Sequence, residues 1–279
     1  MRYSEEMDLG FVFIGTLIGA GFASGQEIML FFTRYGRYGL AGLLFSCILF
    51  FAAGYIILKH AIRKQSSSLR DILLPFVGKK FMFWIEIILY SYLFIGFYIM
   101  LAGCAAVLEQ SFNLPYAPCS FILCILCVGW LTKGISGLAD FNELLVPVMM
   151  LLMLLISYFS INGYGGIKAV LQAAPLGQNG WWLSALLYFS YNMTSMSAVL
   201  ASLGKYTRRE QAAWGAAAIS GCGVFAMALA PYLLTTAYFE RVLEVEIPLL
   251  AIAQISTPAF YWAAVIILLS AMLTRSLSY

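Results

Sequence analysis

Charge is scarce in this chain. Asp, Glu, Lys and Arg together make up 10% of its 279 residues, against about a quarter in an ordinary soluble domain. No polar stretch is long enough to build a soluble domain. A protein so short of charge cannot cover its own surface with hydrated groups, so lipid is the expected solvent. Histidine occurs once, as His60 among Lys59, Arg63 and Lys64, and no HExxH pattern exists, which excludes a zincin-type metalloprotease. No Ser–Lys constellation and no pair of acids within one helical turn stands at membrane depth, so an enzyme is not expected. No ring of repeated charges points to a channel. The basic residues lie in short connections between apolar runs, so the net charge of +3 gives no reason to expect nucleic acid. A cleavable signal is not expected either, because residues 1–8 are net acidic and no small-residue cleavage site follows a short apolar core.

What is abundant is apolar sequence, 62% of the chain, with a mean hydropathy of +0.89. The runs are about 20 residues or longer and do not alternate, so helices are expected rather than the strands of a barrel. Eight segments can be counted, over 9–33, 39–62, 80–110, 118–135, 141–161, 181–203, 211–239 and 257–278. The third, as one helix, is too long to cross upright and must tilt or protrude. A further stretch, 247–255, is too short to span and reads as interfacial or re-entrant. With the N-terminus in the cytoplasm, twelve of the sixteen Lys and Arg residues fall inside and only Arg34, Arg37, Lys168 and Arg241 outside. That asymmetry favours a cytoplasmic N-terminus.

The first segment carries the strongest local signal. Gly19, Gly21 and Gly25 fall within seven residues in the middle of the span, and each glycine weakens a helix by about 1 kcal/mol relative to alanine. Ser24 offers the backbone a competing hydrogen bond. Gln26 and Glu27 follow, and a carboxylate at membrane depth is a functional candidate by default. Small-xxx-small packing at Gly15/Gly19 and Gly21/Gly25 accounts for glycines but not for Gln26 and Glu27. A dinucleotide fingerprint is rejected, since the spacing is wrong and no strand precedes it. The sixth segment shows a weaker echo, with Tyr191, Asn192, Thr194, Ser195 and Ser197 clustered between apolar flanks. Two broken helices five apart are the mark of an inverted-repeat transporter, in which the breaks meet at the bilayer midplane. Interhelical hydrogen bonding is the bland alternative for the sixth segment.

Of the six cysteines, Cys119, Cys124 and Cys127 match the spacing of a plant-type iron–sulfur loop. They sit in an apolar run that reads as a membrane helix, where cysteine acts as a small apolar residue. No metal is expected.

The run IGAGFASGQEIMLFF from Ile18 to Phe32, followed by Gly36 and Gly39, resembles the first helix of the YkvI-like bacterial membrane proteins. These are regarded as amino-acid permeases of the amino acid–polyamine–organocation superfamily with the LeuT-type fold, and the segment pattern agrees along the whole chain. The resemblance implies an all-α integral membrane protein in the bacterial cytoplasmic membrane. It would be one transporter domain with discontinuous first and sixth helices and a five-plus-five inverted repeat. The first repeat would cover about 9–161 and the second about 181–279. The chain ends at Tyr279, at about the eighth helix, so the last two helices of such a core are expected to be missing.

By position, the solute would sit between breaks at 19–27 and 191–195. Its expected neighbours are Gly19, Ala20, Gly21, Phe22, Ser24, Gly25, Gln26, Phe189, Tyr191, Asn192, Thr194 and Ser195. Tyr98 comes from the third helix, with Tyr92 as second choice. The wall of Phe22, Tyr98, Phe189 and Tyr191 would favour an apolar or aromatic side chain. Helix eight of sodium-coupled relatives carries small hydroxyl residues; Thr274 fits that pattern and Arg275 departs from it. Arg275 reads either as a fixed charge in place of sodium or as a helix-end anchor. Glu27 and Glu86 are the candidates for proton coupling. The expected function is secondary transport of a small polar or amino-acid-like solute, coupled to sodium, to protons or to neither. The alternative is a sensor that binds the solute without moving it. The expected partners are that solute and the lipid bilayer, with no cofactor.

Overall fold

The structure is a computed structural model. It describes residues 5–131, 134–175, 177, 179–243, 245, 247–256 and 258–278, and the side chains of 20, 110, 130, 131, 134–144, 173, 255, 256, 277 and 278 are outside the description. Lys133, counted above on the cytoplasmic side, also lies outside the described residues. Every element among the described residues is helical. The first apolar segment is three short pieces, α1 (Glu5–Leu17), α2 (Ala20–Ala23) and α3 (Gln26–Phe31), ending in a 3-10 turn over Thr33–Tyr35. Then come α4 (Arg37–Lys64), α5 (Leu69–Phe112), α6 (Tyr116–Leu131) and α7 (Gly134–Tyr164). The second half holds α8 (Gly166–Ala173), α9 (Trp181–Ser202), α10 (Gln211–Ala237), α11 (Phe239–Val242), α12 (Pro248–Ser256) and α13 (Pro258–Ser278). The described residues of the eight apolar segments are thus largely helical, and five helices among the described residues are long and apolar enough to cross a membrane.

The overlong third segment resolves into a bent helix. Ser68 caps α5: its Oγ accepts from the Asp71 N–H, while Asp71 Oδ2 accepts from the Ser68 N–H at 3.0 Å. This reciprocal capping box starts the helix firmly. Pro75 and Gly78 then interrupt it, and Gly78 leaves helical geometry at φ 74°. Residues 69–77 therefore form an arm, and the spanning part follows. Along that part Phe81, Trp84, Ile88 and Phe94 are exposed, as a lipid-facing helix requires.

α1 is the centre of the bundle. It packs against α7, α9, α10 and α13, while α4 packs on α9 and α10. Leu9, Val12, Phe13, Ile14 and Leu17 are fully buried. Small residues let the helices approach. The Phe13 ring fills the space where a Cβ on Gly54 would be, and Ile14 does the same at Gly223. In lipid such close contacts hold helices together, because the tails outside are as apolar as the core. The stretch 247–255, expected to be interfacial or re-entrant, is the short helix α12, with Leu249, Leu250 and Ile252 buried against α10, α11 and α13, which fits a re-entrant piece covered by protein rather than one lying at the surface.

Candidate functional site

The first helix breaks twice, as its glycines predict. α1 ends at Leu17 and α2 begins at Ala20, so the chain leaves the helical ladder at Ile18 and Gly19. α2 ends at Ala23, and Gly25 adopts a left-handed φ of 80° before α3. A residue with a Cβ is disfavoured there. Ser24 competes for the backbone locally: its Oγ donates to the Gly21 carbonyl and accepts the Gln26 N–H, each at 3.2 Å. The freed Ser24 carbonyl accepts the Leu249 N–H from α12 at 2.8 Å. Past the break, the chain is tied down by neighbours. Ser184 Oγ on α9 donates to the Phe31 carbonyl at 2.8 Å, and Thr33 and Thr235 share a hydroxyl bond at 2.7 Å.

Arg275 occupies the first break. It is 0% exposed, so it is not a helix-end anchor at the membrane surface. Nη1 donates to the Leu17 carbonyl, which has lost its helical partner, and to Asn192 Oδ1 at 2.9 Å. Nη2 reaches Ser195 Oγ at 3.5 Å, and the guanidinium carbon stands 5.9 Å from the centre of the Tyr191 ring. Gly19 makes room for the side chain, since a Cβ there would come within 2.9 Å of Arg275 Cδ. Three elements, α1, α9 and α13, thus meet on one charge.

Glu27 lies on the other side of the break. Its stem folds over Gly21, where any Cβ would overlap the carboxylate. The Tyr191 side chain and the Arg275 charge both act on it. Its Oε2 is buried without a hydrogen-bond partner among the described residues, and so is the hydroxyl of Tyr188, which feels the Glu27 charge. Each such group costs about 1–3 kcal/mol if nothing satisfies it. Tyr188 itself is wedged among Phe31, Phe32 and Phe50, with ring centroids 5.0–6.0 Å apart. Tyr188 was not among the sequence candidates. The signal was available: it stands four residues before Asn192, on the same helix face.

Several expectations need correction. The sixth segment is not broken: α9 runs continuously from Trp181 to Ser202. It has no glycine or proline in its centre, and its polar side chains bond back to their own helix. Asn192 donates to the Tyr188 carbonyl at 3.1 Å, Thr194 to Ser190 at 3.0 Å and Ser195 to Asn192 at 3.1 Å. Thr194 lies two positions from Asn192, on roughly the opposite face. Tyr98 is 68% exposed and lines an outer groove with Phe94, Phe121 and Cys124. The second choice, Tyr92, turns instead toward α9, donating to the Tyr191 carbonyl at 3.0 Å. Glu86 pairs with Arg70 at 2.7 Å across the bend of α5 and is an arm-bracing residue. Gln26 is exposed at the start of α3. Phe189 packs on Phe50 at 5.2 Å. Phe22 is fully buried beside the break. Thr274 is buried next to Arg275 and donates to the Ala271 carbonyl at 2.9 Å. The side chain of Ala20 lies outside the described residues.

No family model matches the chain. It is 31% identical over 207 residues to the uncharacterized protein YyaD of Bacillus subtilis, covering 74% of this chain and 58% of that one. It is 27% identical over 213 residues to the uncharacterized membrane protein YkvI of the same organism, covering 76% and 61%. The matches therefore span about three fifths of the length of these relatives. Among solved structures, it is similar to MHP1, a nucleobase-cation-symport-1 family transporter with bromovinylhydantoin bound, at a TM-score of 0.68 and 14% identity. That match covers 98% of this chain and 63% of that one. It is similar to MhsT in complex with L-phenylalanine at a TM-score of 0.65 and 17% identity, covering 97% and 71%. The chain is therefore homologous to YyaD and YkvI over about three fifths of their length and has the LeuT-type fold of MHP1 and MhsT.

Proposed function

We propose that this protein is a secondary transporter of a small polar or amino-acid-like solute, with its N-terminus in the cytoplasm. The solute would be held where α1 gives way to α2 and α3, against α9 and the Tyr92 end of α5. The observation that carries this reading is the pair of buried polar atoms at the break, Glu27 Oε2 and the Tyr188 hydroxyl, with no partner among the described residues. A solute offering an N–H to the carboxylate and an acceptor to the phenol would satisfy both. The neighbours MHP1 and MhsT have bromovinylhydantoin and L-phenylalanine bound, which supports a solute of that size. A fold of this kind is suited to moving such a solute, because a broken helix at the midplane can be reached from either side.

The test is a thermal-shift screen of amino acids and hydantoins against the purified protein. Ligand binding raises Tm in proportion to the logarithm of its concentration over Kd, so a solute should reveal itself. Glu27→Gln should reduce that shift at least tenfold in apparent affinity. A hit whose shift survives both Glu27→Gln and Tyr188→Phe would place the site elsewhere. Uptake into proteoliposomes then separates a transporter, which accumulates the solute, from a sensor, which only binds it.

A further inference from the structure

We infer that the cavity between the start of α1, the end of α4 and the start of α10 binds a phospholipid with a primary-ammonium headgroup, phosphatidylethanolamine, in the leaflet on the N-terminal side. The cavity holds about 590 Å³ and is walled by Glu6, Tyr55, Lys59, Glu210, Trp214 and Gly215. Its charges are sorted. Glu210 is taken by Arg63 at 2.8 Å. The neighbouring Glu5 carboxylate accepts from Thr207 at 2.6 Å, which pins the first turn of α1. Glu6 and Lys59 remain, and among the described residues neither stands in an ion pair. Gly215 lets the Glu6 carboxylate lie against α10, since a Cβ there would come within 2.5 Å of Glu6 Oε2. Lys59 Nζ donates to the Tyr55 hydroxyl at 3.0 Å, which steadies the ammonium and uses one of its three donors.

One anion and one cation on different walls match a zwitterion, with an ammonium against Glu6 and a phosphate against Lys59, both through charge-assisted bonds. A headgroup without an ammonium leaves Glu6 unanswered, and a trimethylammonium offers it no N–H. The apolar path that continues from the cavity makes the occupant a lipid rather than a free zwitterion. Trp214 is 60% exposed and meets the Phe51 ring edge-on at 6.3 Å, one helical turn deeper than Tyr55. Ile48, beyond it on α4, is 56% exposed. Tyr and Trp beside charge mark the headgroup level of a bilayer, so a headgroup in the cavity would lay its acyl chain along Phe51. Lipid headgroups are recognised in charged pockets between spanning helices, and this pocket carries both signs.

Lipid binding here needs no solute, so its test stands apart from the transport reading. Tm of the full chain is measured in detergent micelles doped with phosphatidylethanolamine, phosphatidylglycerol or phosphatidylcholine, for the wild type, Glu6→Gln, Lys59→Gln and, on α8, Lys168→Gln. In the wild type, phosphatidylethanolamine should give a saturable rise, roughly 3 °C above that of the other two lipids. Glu6→Gln should lose this preference, Lys59→Gln should bind phosphatidylethanolamine at least fivefold more weakly, and Lys168→Gln should behave as the wild type. O-phosphoethanolamine, the headgroup without its chains, should give no shift. Equal stabilisation by all three lipids, or a preference for phosphatidylglycerol, overturns the inference. So does a Glu6→Gln or Lys59→Gln protein that responds as the wild type does, or a Lys168→Gln protein that loses the preference too. A shift with O-phosphoethanolamine as large as the lipid's also overturns it, since the cavity would then serve a soluble zwitterion. If Glu6→Gln cannot be recovered folded, native mass spectrometry of the wild type in an equal mixture of phosphatidylethanolamine and phosphatidylglycerol is read in its place. Excess retention of phosphatidylethanolamine is the expected result, and equal retention of both overturns the inference.

Discussion

Asn192 and Arg275 stand 83 positions apart and share a 2.9 Å hydrogen bond in a place with no access to water. The bond is charge-assisted, and its acceptor is fixed by a second bond to the Tyr188 carbonyl. Replacing Asn192 with Ala removes one acceptor from a buried guanidinium that keeps the Leu17 carbonyl, and leaving such a donor unsatisfied costs about 1–3 kcal/mol. Thr194→Ala, on the other face of α9, should cost under about 1 kcal/mol. Thermal unfolding in detergent compares the two directly; equal losses would mean that the buried cluster contributes little.

Two glycines near the break should respond differently to alanine. At Gly19 the new methyl meets the flexible Arg275 stem at 2.9 Å, which can shift at a cost of about 1–3 kcal/mol. At Gly39 it would overlap the carbonyl oxygen of Phe32, and backbone has nowhere to go. Gly39→Ala is therefore expected to abolish recovery of monodisperse protein, while Gly19→Ala lowers Tm and survives. The measurement is size-exclusion chromatography followed by thermal unfolding.

The Arg70–Glu86 pair braces the bend of α5 with a 2.7 Å contact, and the Arg70 side chain is about half exposed at 49%. Exposed ion pairs contribute roughly 0–1 kcal/mol and are screened by salt. Glu86→Gln should therefore leave solute-induced stabilisation unchanged within twofold and lower Tm slightly, less so at high salt. A loss of solute response would return Glu86 to the list of coupling residues.

Tyr92 and Tyr98 lie on the same helix with opposite surroundings. The Tyr92 hydroxyl donates to the Tyr191 carbonyl at 3.0 Å, while Tyr98 looks outward. Tyr92→Phe should weaken solute binding by roughly the worth of one hydrogen bond, about 0.5–1.5 kcal/mol. Tyr98→Phe should do nothing measurable. Titration of the same ligand against both variants settles which face of α5 lines the path.

The sequence alone determined that this is a helical membrane protein and where its first helix fails. Composition dictates the solvent, and glycines at 19, 21 and 25 with Ser24 weaken the ladder through purely local chemistry. The sixth segment misled because its hydroxyl and amide groups have two ways to be satisfied. Back-bonding to the preceding turn keeps α9 intact, and nothing in its order of residues distinguishes that outcome from unwinding. Which side of α5 faces inward, and the bend at Gly78 that brings Glu86 to Arg70, depended on how the helices pack. So did the meeting of Leu17, Asn192, Ser195 and Arg275. A charge at position 275 could have reached the headgroups or the core. Only the tertiary structure, by opening a notch at Gly19 and aiming oxygens from two other helices into it, made the buried place the more stable one.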